Sequence, residues 1–107
     1  MRISITDRIQ QEKPVLEIFG KEFEIDNRKD TVIAYTERDF SGMKTGELMD
    51  EIIRHFAGNK ALEEIHSMKN LSFHAYEIII YGIMALAMEI SLEEAEKRFH
   101  KSAAESA

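Results

Sequence analysis

Residues 76–90 read YEIIIYGIMALAMEI, and eleven of them in succession, Ile78 to Met88, carry no charge. What covers this run decides the fold: lipid, the chain's own core, or another protein. Lipid fails on length, because eleven helical residues span about 16 Å against a hydrocarbon layer of about 30 Å. Lengthening the helix brings in Glu77 on one side and Glu89, Glu93, Glu94 and Glu96 on the other. On a helical wheel the run is apolar all round. Ala75, Ile78, Gly82 and Ala85 form one stripe, Ile79, Ile83, Leu86 and Ile90 a second, and Ile80, Met84 and Ala87 a third. A helix of this kind is buried on every side. The pattern therefore predicts a central core helix, with the competing reading that one stripe is left for another protein. Gly82 costs about 1 kcal/mol relative to Ala in a helix, so it points to the close approach of a neighbour from this chain or another.

Working outward, Ser72 is placed to cap this helix over 73–88. Ser91 and Glu94 form an S-L-E-E capping box that predicts a last helix through Phe99. The segment KSAAESA, residues 101–107, has little to bury and reads as a frayed tail. Upstream, KALEEIHSM (60–68) presents Leu62 and Ile65 on one side, with Gly58 as a left-handed C′ residue and Asn59 as a cap. From Thr45 an amphipathic helix places Leu48, Met49, Ile52, Ile53 and Phe56 on one face. TVIAYTERDF, residues 31–40, reads as a helix capped by Asp30, although its Thr, Val, Ile and Tyr also suit a strand. PVLEIFGKEFEID alternates on both sides of Gly20-Lys21, which predicts an antiparallel hairpin with a type II′ turn there. Residues 1–13 read as an arm or short strand. The sum is one α+β domain over residues 1–107: an N-terminal β-hairpin followed by four or five helices.

Twenty acidic against 14 basic residues give a net charge of −6, which argues against nucleic acid as the main partner. There is no cysteine, so disulfides and thiolate metal sites are excluded. The stretch MRISITDRIQQEKP lacks the apolar core of a signal peptide, and a cytoplasmic location is expected.

No residue pattern points to catalysis, and no metal or cofactor is expected. His55, His66, His74 and His100 are the candidates for acid–base or metal chemistry. Glu63/His66 makes a single E-x-x-H where a di-iron bundle needs two. Glu51/His55 and Glu96/His100 have the spacing of ordinary helix-surface pairs. In SGMKTG, Gly42, Lys44 and Thr45 do not match the spacing of a phosphate loop. Helices 60–68 and 73–88 make a poor helix-turn-helix, since the second offers no Lys or Arg to bases or phosphates. Asn70-Leu71-Ser72 matches a glycosylation sequon, which has no weight without secretion.

The hairpin VLEIFGKEFEI, the link DNRKDTV, the acidic amphipathic helix, the apolar YEIIIYGIMAL helix and the closing SLEEAEKRF together resemble the tail assembly chaperones of long-tailed phages of Gram-positive bacteria. The likeness spans most of residues 14–100 as an order of elements. It implies a non-enzymatic protein of the host cytoplasm that coats a tape measure protein during tail assembly and self-associates. A longer frameshifted product is also common in that family. By extension, Ile79, Ile83, Leu86 and Ile90, with Leu48, Ile52 and Phe56 opposite, are the candidate client or self-contact residues. The alternative from another class is a small dimeric prophage-encoded regulator of a host protein.

Overall fold

The computed structural model describes residues 1–9 and 12–106. A 3-10 turn (Thr6–Arg8) precedes a hairpin of β1 (Val15–Ile18) and β2 (Lys21–Glu24). Five helices follow: α1 (Lys29–Thr36), α2 (Thr45–Ala57), α3 (Asn59–His66), α4 (Phe73–Met88) and α5 (Leu92–Ser106). The architecture is the expected mostly helical α+β, and its buried side chains form a single cluster. Within residues 1–9 only the 3-10 turn is regular, with no strand.

The hairpin turns one residue earlier than the alternation suggests, on Phe19-Gly20 rather than Gly20-Lys21. Ile18 lies opposite Lys21 and Leu16 opposite Phe23. Moving the pairing by two positions leaves every side chain on its own face, so alternation cannot separate the two registers and turn geometry decides. Both turn residues have positive φ, 51° at Phe19 and 83° at Gly20, which is a type I′ arrangement that matches strand twist. Leu16, Ile18 and Phe23 face inward, and the Ile25 N–H continues the ladder to the Pro14 carbonyl at 2.9 Å.

Residues 31–40 are helical only to Thr36, and the residue ahead of the helix is Arg28, not Asp30. Asp26 organises this start instead. Its carboxylate accepts the Arg28 N–H at 3.0 Å and the Thr31 hydroxyl at 2.8 Å, while its own N–H donates to the Phe56 carbonyl at 2.8 Å. The side chain of Arg28 adds an ion pair at 2.8 Å. The hydrogen bonds from Arg28 hold the Asp26 carboxyl well below the usual carboxylate range, against the opposing effect of burial. A depressed carboxylate contributes stability above its unfolded pKa and loses it as pH falls through the folded value. Glu51 shifts the same way, chiefly through the Arg38 hydrogen bond. Stability is therefore expected to fall as pH drops below about 4. Asp26→Asn should cost roughly 1–2 kcal/mol at pH 7 in urea unfolding and flatten that acid limb. The Arg28 ion pair is largely exposed and adds little to this figure.

At the α2–α3 corner, Gly58 adopts φ 94° and ψ 167°, an extended conformation open to glycine rather than the left-handed helical one expected. Asn59 is the first residue of α3 and not its cap; its side-chain oxygen accepts from Arg54 Nε at 3.0 Å. Tyr35 packs on Phe56 with ring centres 5.0 Å apart, and its buried hydroxyl, beside Ser102, lacks a well-formed hydrogen bond.

Ser72 caps α4 as expected, its Oγ accepting the Ala75 N–H at 3.0 Å. The helix packs against β1, α2 and α5. Gly82 has a neighbour from its own chain: a Cβ there would stand 3.1 Å from Leu16 Cδ1 of β1. Ser91 Oγ accepts the Glu94 N–H at 3.0 Å, but the Glu94 carboxylate turns to Arg98, so only half of the capping box forms. Ala95 and Phe99 are buried. The last helix does not stop at Phe99 but runs through Ser106, with Ala103 half-buried against the core, while Ala107 of the expected tail lies outside the described residues. Helices α4 and α5 bend by 108° at their junction, and no single helix among the described residues is long and apolar enough to cross a membrane.

Candidate functional site

The seven residues expected to meet a client or a second copy lie mostly inside the protein. Leu48, Ile52, Phe56, Ile79 and Ile83 are buried in the core, and Leu86 and Ile90 are half-buried against it. The stripes are covered by the chain's own core, the first of the two readings of the sequence, and are not left open as the competing reading has it. The stripes are apolar because they face each other and the hairpin. A partner reaching Ile83 would have to displace the chain's own packing.

The apolar groups left in water are different ones. Phe73, at the first position of α4, is 63% exposed because the Ser72 cap starts the helix just before it. It stands at the mouth of a shallow groove lined by Gly46, Met49, Asp50, His66, Leu71 and Tyr76, with a volume of about 570 Å³. Three helices meet at its polar side. The Tyr76 hydroxyl donates to Asp50 Oδ1 at 2.6 Å, and His66 Nε2 lies 3.0 Å from the same oxygen. Burial first, and then the hydrogen bond to Asp50 and its charge, push the Tyr76 hydroxyl well above its ordinary pKa. Asp50 thus ties α2, α3 and α4 together. Among the described residues its Oδ2 makes no hydrogen bond, which leaves an acceptor beside the apolar wall.

The other histidines are dispersed. His55 Nε2 lies 2.7 Å from the Thr31 carbonyl and, as its N–H tautomer, donates to it. His74 is 3.9 Å from Glu77, and His100 is 3.2 Å from the Tyr81 hydroxyl, which donates to Glu77 at 3.2 Å. Burial first and Glu77 second push the Tyr81 hydroxyl up to about 12. Glu63 and His66 do not act as a pair, since His66 turns to Asp50. Among the described residues no three His, Asp or Glu side chains are grouped so as to hold a metal ion. A second, larger groove of about 770 Å³ runs between β2 and the α2–α3 corner, past Glu24, Arg28, Arg54 and Lys60.

Sequence reasoning missed Phe73, Asp50 and Tyr76 as a unit. The available signal was Asp50 itself, a carboxylate that flanks the apolar face of α2 next to Ile53. No family model, no curated protein and no solved structure matches this chain.

Proposed function

We propose that the protein is a non-catalytic assembly chaperone of the phage-tail type, acting in the cytoplasm on a long helical client of the tape measure kind. The observation that carries this reading is Phe73, a large aromatic held in water by its helix cap beside an apolar groove with one open carboxylate oxygen. A client helix seats an apolar side chain against Phe73, Leu71 and Tyr76 and donates a hydrogen bond to Asp50 Oδ2. Helix-in-groove docking uses this combination of an apolar wall and a few orienting polar groups. The surrounding negative charge keeps a protein with open apolar groups soluble.

The test is co-expression with a tape-measure-type helical protein that aggregates when made alone. The chain is expected to keep that client soluble. Phe73→Asp is expected to weaken binding at least tenfold with an unchanged urea midpoint, because this side chain contributes little to the core. A client that aggregates equally with and without the chain would overturn the reading.

A further inference from the structure

Among the described residues, two uncovered surfaces have complementary chemistry. The first is the outer face and tip of the hairpin. Phe19 is 85% exposed in a turn where it holds φ 51°, a conformation bulky residues seldom adopt. Beside it Glu17 lies directly opposite Glu22. Counting from the Ile25–Pro14 bond, this is a non-hydrogen-bonded pair, in which side chains stand closest and like charges repel. Among the described residues neither carboxylate has an ion pair or hydrogen bond. Val15 lies exposed on the same outer face. The inner face of this two-stranded sheet packs on α4, which leaves its outer face uncovered among the described residues.

The second surface is the segment Arg2-Ile3-Ser4-Ile5-Thr6, which leads into the 3-10 turn that holds Arg8. Ile3 is 77% and Ile5 54% exposed, and Ile9 is exposed as well. Alternation of Ile with polar residues is strand-like, yet this segment pairs with no strand. Neither Arg2 nor Arg8 has an ion pair among the described residues. One surface is therefore apolar and anionic, the other apolar with two arginines against the single carboxylate of Asp7, and both lie on the same chain.

We propose that residues 2–8 of one copy dock on the hairpin of a second copy, with Arg2 and Arg8 meeting the Glu17/Glu22 pair and Ile3 and Ile5 covering Val15 and Phe19. The exchange is reciprocal, so two copies close a two-fold dimer and leave no further open ends. A cation between Glu17 and Glu22 removes the repulsion that the isolated hairpin carries. The inference goes beyond the client reading and does not depend on it, since no client takes part.

The test is sedimentation equilibrium of the full chain across a wide concentration range, at low and high salt. The wild type is expected to pass from monomer to dimer, more weakly at high salt. Reversing the hairpin charges, Glu17→Lys with Glu22→Lys, is expected to weaken the dimer about tenfold or more, as is Arg2→Glu with Arg8→Glu. Combining both sets should restore dimerisation. All four sites are exposed, and circular dichroism verifies the fold of each variant. A chain that stays monomeric at every concentration, as it would if the arm docked on its own hairpin, overturns the proposal. So does a dimer indifferent to either reversal, or one that the combined reversal fails to restore.

Discussion

Replacing Ile83 by aspartate is expected to unfold the protein. Ile83 is 0% exposed on α4, inside the core cluster. The substitution removes a buried aliphatic side chain and adds a carboxyl with no partner. Such changes belong to the small class that cost more than about 4–5 kcal/mol. A domain of this size has roughly 5–15 kcal/mol in total, so most or all of the stability goes. The buried carboxyl also resists ionisation, which makes the loss larger at neutral than at mildly acid pH. Far-UV circular dichroism and urea titration at pH 7 measure it. The control is Ile78→Asp, one turn before Gly82 on the open side of the same helix, where about 0.5 kcal/mol or less is expected. If Ile83→Asp kept the wild-type urea midpoint, that stripe of α4 would be open in solution and the core assignment wrong. The experiment therefore decides in solution what covers the run from Ile78 to Met88.

That run was also the most legible part of the fold. Its apolar character on every side requires burial on every side, and its neighbours α2 and α5 carry matching apolar faces. Caps such as Ser72 and Ser91 were readable because a hydroxyl bonding three residues ahead is a purely local event. Registers and ends were less legible. The hairpin permits two pairings that differ only by a two-residue slip, and the α1 start depends on Asp26, whose N–H partner is thirty residues away on α2. The extension of α5 rests on Ala103 finding the core, which KSAAESA does not advertise. The candidate site was least legible of all. An apolar stripe shows that something covers it without saying whether the cover is its own chain. Phe73 and Phe19 stand out only once it is clear which aromatic residues the core does not use.

Phe99→Ala is expected to release α5 before the rest of the protein unfolds. This helix docks mainly on α4, through the two buried residues Ala95 and Phe99. Phe99 meets the Tyr81 ring edge-on at 5.9 Å, and the next residue, His100, lies 3.2 Å from the Tyr81 hydroxyl. Truncating a buried Phe to Ala costs roughly 3–5 kcal/mol. With only the small Ala95 and the half-buried Ala103 left to hold it, that loss is concentrated in α5, and local opening follows where few buried contacts hold a segment. Hydrogen exchange is expected to show amides of residues 92–105 losing protection while those of α2 keep theirs. Release of α5 uncovers α4 around Tyr81 and Met88, so binding of a hydrophobic dye should rise in step with the exchange of α5. Uniform loss of protection across all helices would instead make α5 an integral part of the core. The selective outcome would make α5 a separately opening cover, under which the apolar surface of α4 lies sealed at rest.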